Sequence, residues 1–304
     1  MSARPQSSSA RPAPHEAITA RIVAELEAGR VPWVQPWTVA SAAPGLPFNA
    51  ATGRRYSGIN VLTLWHEAAL RGLAGLGFLT FRQARVIGAS VRRGERGIDV
   101  ILARRVASRS EQARARAEGR DAVGTVPVLR HFTVFSTEQC DGLPDEIAMP
   151  GPRWSDSTHL EPRARHIIAA SGAAIRIGGD SAYYSPSHDF IQLPRPEDFH
   201  EPINWHRTAF HELAHWTGHP TRLARDQTGR FGSGAYGREE LVAELASAFV
   251  CAEIGLVPTV RHSDYIGEWL AIMHEDSRAV LRAASAASRA AEYLLGKVPP
   301  DSAS

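Results

Sequence analysis

Apolar residues fall at helical spacing over residues 15–29, where Ile18, Ile22, Val23 and Leu26 share one face and Gly29 ends the run. The segment Pro32-Trp33-Val34-Gln35-Pro36-Trp37 is too rich in proline to continue it. Helical spacing returns over residues 60–71 and 80–89, with Thr80 placed to cap the second helix. A charged turn at 91–97 leads into a strand at 98–102, and alternation resumes over 126–135. The polar, Arg/Ala/Glu-rich residues 107–125 between them read as a flexible excursion, and 144–154 as a linker. Further on, Asn204 is placed to cap a helix carrying Trp205, Ala209, Phe210 and Leu213, which Gly218 and Pro220 stop. A second helix spans 238–255, entered through the glycines of 232–237, and two supporting helices run between Asp264 and Leu295. These elements predict an α+β fold.

Length permits two domains, each with its own core: a tail at 1–14, a first domain at 15–148 and a second at 149–304. The tail lacks the apolar segment of a signal peptide and reads as disordered. No stretch is apolar enough to span a membrane, and two distant cysteines, Cys140 and Cys251, build no disulfide framework. Both features predict a cytoplasmic protein with buried thiols. The formal charge of +2 conceals an asymmetry. Residues 1–130 hold 19 Arg against 9 Asp/Glu, whereas the remainder holds 15 Lys/Arg against 23 Asp/Glu. A basic front half joined to an acidic, histidine-bearing back half points to a polyanion-binding module attached to something else.

That back half contains His211-Glu212-Leu213-Ala214-His215. On a helix, positions four apart share a face, so both imidazoles can reach one ion while Glu212 lies beside it. A Zn²⁺ held there would lower the pKa of a water, with Glu212 as the general base. His219 extends the same face but lies at the helix end and reads as a surface residue, and Thr221 occupies the position where a metzincin has a third histidine. In the second helix, Glu240 and Glu244 have gluzincin spacing, which makes Glu240 the third ligand and Glu244 the acid that fixes a ligand histidine through its other ring nitrogen. Glu239 reads as a solvated acid at the helix start.

In the front half, Trp33, Trp37, Phe48, Tyr56 and Trp65 lie among Arg54, Arg55, Arg92, Arg93 and Arg96. Rings that stack on bases and a basic groove that follows phosphates are the chemistry of single-stranded nucleic-acid binding. The candidate DNA-binding residues are Trp37, Arg54, Arg55, Tyr56, Asn60, Arg82, Arg92, Arg93 and Arg96. No helix-turn-helix, zinc finger or nucleotide-binding loop is visible.

Several motifs occur together and in order: Pro36-Trp37, Tyr56-Ser57-Gly58-Ile59-Asn60-Val61, Leu79-Thr80-Phe81-Arg82-Gln83-Ala84, Gly88-Ala89-Ser90-Val91-Arg92-Arg93-Gly94-Glu95 and Thr133-Val134-Phe135, then His211–His215 and Glu240–Glu244. This series resembles the ArdC-type antirestriction proteins over nearly the whole chain. It departs in having Arg93 where a lysine is typical, and Ser136 where an asparagine is. The resemblance implies a single-stranded-DNA-binding domain followed by a zincin-like metallopeptidase domain, in a protein of mobile elements such as conjugative plasmids that protects incoming DNA from restriction. Its partners would be single-stranded DNA and an unidentified protein or peptide substrate. It also implies that the stretch from Ser181 to Pro194 is a strand beside the active site, with Tyr183, Tyr184 or His188 as candidate oxyanion stabilisers. The alternative is a DNA-shielding protein whose zinc site is structural or inactive.

Overall fold

The computed structural model describes residues 14–34, 45–107, 109–119, 126–148, 160–230, 232–257 and 265–297. In the front half, α1 (Pro14–Glu27) comes first, and α2 (Ile59–Arg71) and α3 (Phe81–Val86) pack on a sheet of β1 (Phe48–Asn49), β2 (Gly77–Thr80), β5 (Val126–Ser136) and β4 (Ile98–Val106), in the order β1-β2-β5-β4. β1 and β2 run parallel, and the other pairs are antiparallel. A two-stranded sheet joins β3 (Ser90–Val91) to β6 (Cys140–Asp141). Thr80 caps α3 as its sequence predicts: its hydroxyl accepts from the Gln83 amide, while the Gln83 side chain returns to the Thr80 amide.

Three expectations for this stretch change. β4 continues four residues beyond its predicted end because β5 pairs with it in unbroken register from Ile98↔Val134 to Val106↔Val126, so cross-strand bonding overrides the charged side-chain pattern. The excursion at 107–125 contains a nine-residue helix, α4 (Arg109–Ala117), built from good helix formers, and Arg114 at its end pairs with Glu118 at 2.8 Å. Part of the linker is also helical, as α5 (Asp145–Ala148), and residues 149–154 lie outside the described residues.

The back half opens with α6 (Leu160–Ser171) and a sheet ordered β7-β9-β8, from β7 (Ala174–Ile177), β8 (Tyr183–Ser185) and β9 (Phe190–Leu193). Four helices follow: α7 (Pro202–Trp216), α8 (Gly234–Glu253), α9 (Ile266–Glu275) and α10 (Ala279–Leu295). α7 begins at Pro202 with Glu201 at its cap, because proline is preorganised for the first helical position. Asn204 therefore lies inside the first turn, where it accepts a hydrogen bond from Arg207 at 2.6 Å. α8 starts four residues before its predicted start, capped by Ser233, whose hydroxyl accepts from the Tyr236 amide.

The larger apolar cluster draws on both halves, and a smaller one, around Leu79, Ala84 and Ala89, lies within the front half. Trp33 meets Trp269 at 5.5 Å between ring centroids and Trp65 meets Phe249 at 5.7 Å, all four rings buried. α1 lies against α9. Polar contacts cross the same seam: the Gly58 amide donates to Ser288 at 2.7 Å, Thr19 donates to the Ser277 carbonyl at 2.6 Å, and Arg55 pairs with Glu253 at 2.7 Å. Of the two thiols, Cys251 is buried and its pKa is pushed up by burial to about 12, while Cys140 is only partly buried. No described helix is long and apolar enough to cross a membrane.

Candidate metal centre

α7 presents His211 and His215 on its inner face, and α8 brings Glu240 opposite them; all three are buried or nearly so. The two Nε2 atoms are 3.1 Å apart, and each lies 3.4 Å from an oxygen of Glu240. Ligand atoms about 2.0–2.2 Å from a tetrahedral ion stand roughly 3.3–3.6 Å from one another, so this donor set fits one metal. Burial opposes the His215 imidazolium, but Glu239 and Glu240 outweigh it and push its pKa up to about 10. Burial would likewise raise the Glu240 carboxyl, yet His211 and His215 hold it far below the usual carboxylate range. Glu212, the residue after the first ligand, is buried and lines the same cleft of about 310 Å³.

The supporting shell differs from the sequence reading at one acid. Glu239 is buried and not solvated: His215 Nδ1 lies 3.3 Å from its Oε1, so it is Glu239 that orients this ligand through its other ring nitrogen. Arg225 clamps the Glu239 carboxylate at 2.7 and 3.0 Å, and Gln227 donates to it at 3.1 Å and to the His215 carbonyl at 2.7 Å. Gly218 makes room for this clamp, since a Cβ there would stand 2.5 Å from the Gln227 amide and 2.9 Å from Arg225. Glu244 faces His211 Nδ1 at 3.8 Å, on the side expected for it but beyond hydrogen-bond distance.

One wall of the cleft is β8, the edge of its sheet, whose Tyr183 is 44% exposed. Arg222 fastens this strand to the end of α7: it donates to the Trp216 carbonyl at 2.6 Å, stacks 3.9 Å from the Trp216 ring, pairs with Asp189 and donates to the Tyr184 hydroxyl at 3.2 Å. Tyr184 is thus committed to Arg222 and Asp189. His188 bonds to Ser185 and Ser187 and does not line the cleft. Tyr236 does line it, and its hydroxyl accepts from Tyr265 at 3.4 Å. Burial, with Tyr265 and Glu240 adding to it, raises the Tyr236 phenol well above its ordinary pKa and keeps it protonated. A glycine-rich entry loop gave no sign of that role in the sequence. His219 is partly exposed and bonds to Thr221.

The DNA candidates are scattered. Trp33 and Trp65 are core residues, and Trp37 lies outside the described residues. Asn60 spends its side chain on β4, donating to the Ile101 carbonyl at 2.7 Å and accepting from its amide at 2.8 Å. Arg55 is held by Glu253, and Arg92 by Glu95 at 2.9 Å and the Glu138 carbonyl at 2.6 Å. Arg54, Arg82, Arg93 and Arg96 are exposed, and Tyr56 is partly buried. The Asn49–Gln83 side-chain pair ties the turn before Arg54 to α3, which carries Arg82.

Residues 13–135 match the model of the N-terminal domain of anti-restriction factor ArdC, and residues 162–286 that of a zincin-like metallopeptidase. A DNA primase TraC of Escherichia coli is 39% identical over 293 residues, which cover 92% of this chain but 27% of the primase, so the chain spans about a quarter of that relative. Uncharacterized protein y4eC of Sinorhizobium fredii is 36% identical over 283 residues, covering 92% of this chain and 91% of its own. The metal-free crystal structure of antirestriction protein ArdC from plasmid R388 aligns with a TM-score of 0.78 at 33% identity, over 94% of this chain and 97% of that one. Its Mn(II)-bound form aligns with a TM-score of 0.77, over 95% and 99%.

Proposed function

Because the chain belongs to the ArdC-type antirestriction family, we propose that it binds single-stranded DNA through its front half and hydrolyses a protein substrate with a zinc-dependent site in its back half. The observation that carries this reading is the meeting of His211, His215 and Glu240 within 3.4 Å, beside a buried Glu212 that no structural metal site requires. Two imidazoles and one carboxylate suit zinc, with a fourth position left for water. When bound, the ion supplies Lewis-acid polarisation and a water of lowered pKa. Glu212 then accepts the proton of the attacking water and passes it to the leaving amine. Glu239 holds the His215 imidazole in place while Glu244 faces that of His211, and the Tyr236 hydroxyl donates to the oxygen on which charge develops. An extended peptide pairs with the free edge of β8 and lies across the cleft. On the front half, exposed Arg54, Arg82, Arg93 and Arg96 contact phosphates.

Glu212→Ala tests both parts of the proposal. The variant should keep one metal per chain and lose hydrolysis of an unfolded protein substrate, because the base is not a ligand. Unchanged hydrolysis would refute its role. Antirestriction that survives intact in the inactive variant would favour the rival reading, in which the protein shields DNA and the metal serves structure alone.

A further inference from the structure

α3 buries one face and leaves the other open. Ala84 packs into the small apolar cluster with Leu79 and Ala89, while Phe81, Arg82, Arg85 and Val86 share the exposed side. Phe81 is 52% exposed, more than any other aromatic ring among the described residues. The ground around it is held in place. The Asn49 and Gln83 side chains exchange two hydrogen bonds of 3.1 Å, and the Asn49 amide donates to the Arg54 carbonyl at 2.8 Å, which keeps exposed Arg54 beside α3. β3 also packs on α3 and leads to exposed Arg93. The acids that follow β3 and lie on its partner strand, Glu95 and Asp141, are both engaged by Arg92, at 2.9 and 3.5 Å. Among the described residues, no carboxylate lies within ion-pair distance of Arg54, Arg82, Arg85 or Arg93. A bare ring thus stands among cations that no acid neutralises.

We propose that Phe81 is the ring on which an unpaired base stacks, and that it makes this basic surface prefer a single strand to a duplex. This role rests on the DNA-binding reading above and gives the preference for single strands a residue. A base inside a duplex is covered on both faces by its neighbours, so only a single strand can offer one to a protruding ring. The arginines by themselves would take either form, because both carry phosphates. Every base has a π face, so stacking on Phe81 is tolerant of sequence. A second copy of this chain would bring the same cations and meet like charge. An apolar protein partner would cover Phe81 and Val86 but leave the guanidinium groups unanswered.

The test uses the full chain with a fluorescent oligo-dT of about twenty nucleotides and a duplex of equal length, each followed by anisotropy across a salt series. Phe81→Ala should weaken single-strand binding roughly 5–100-fold and leave both duplex binding and the salt slope unchanged. Phe81→Trp should keep or tighten single-strand binding, whereas Phe81→Leu, apolar but without a π face, should behave as the alanine variant does. Arg82→Ala combined with Arg85→Ala should weaken both forms and flatten the salt dependence. These positions are exposed, and unchanged circular dichroism and melting show that each variant folds. Single-strand affinity that is unchanged in Phe81→Ala, or retained in Phe81→Leu, overturns the stacking role while the DNA-binding reading stands. Equal losses for single strand and duplex overturn it as well, because a stacking ring acts on unpaired bases alone. If the unaltered chain binds neither form, the DNA-binding reading itself fails and the role of Phe81 falls with it.

Discussion

Glu239 and Glu240 are neighbours in sequence and divide the work of one site. Glu240 turns inward to both imidazoles, whereas Glu239 reaches only the far nitrogen of His215 and is gripped by Arg225 and Gln227. The first role was read from two spacings, His211 with His215 on one helix and Glu240 with Glu244 on the next, because helical geometry fixes which side chains of a helix share a face. The second was not, since Arg225 and Gln227 lie in an irregular segment where no periodicity says which way a side chain turns. The same holds for Tyr236. Glu239→Gln should still bind metal, with affinity reduced roughly 10–100-fold, the usual cost of losing a partner that orients a ligand. Competition with a chromophoric chelator measures this, and an affinity equal to that of the unaltered chain would deny Glu239 its positioning role.

At the scale of elements, the helices and strands were readable wherever local pattern and tertiary contact agree, as at the Thr80 cap. They were misread where they disagree: β4 outruns its apolar alternation because β5 supplies partners, and α7 starts at a proline and not at Asn204. The β8–β9 turn shows how a loop becomes part of the site. Asp189 adopts a positive φ of 51° and pairs with Arg222, which anchors the edge strand to α7. The Arg222 guanidinium holds the Asp189 carboxyl below its ordinary pKa against a smaller desolvation effect. The pair therefore stabilises the fold above the unfolded carboxylate pKa of about 3.9, and that contribution disappears as pH falls through the lower folded value. Asp189→Asn in metal-free protein should lower stability at pH 7 by about 1 kcal/mol or less, given the exposure of the carboxylate. The difference should shrink in acid, and urea midpoints at the two pH values check it; a difference that grows on acidification would contradict the pairing.

Across the whole molecule, the charge asymmetry separates a basic front from an acidic back, yet the apolar core ignores that division. Sequence pattern identifies which face of a helix is buried but not which distant face covers it, so the meeting of Trp33 with Trp269 and of Trp65 with Phe249 was out of its reach. The larger cluster, shared by both halves, predicts one cooperative unfolding transition. Trp33→Ala should cost about 3–5 kcal/mol and lower the melting of both halves together, as seen by calorimetry; two separate transitions would show independent domains. The central claim is that helices α7 and α8 close on a single ion. Its most direct test is zinc content of the purified full chain after equilibration against a weak chelator, for the unaltered protein, His215→Ala and Glu240→Gln. The account predicts one tightly held zinc per chain, lost in both variants with circular dichroism unchanged. Equal zinc in all three proteins would place the metal elsewhere and contradict it.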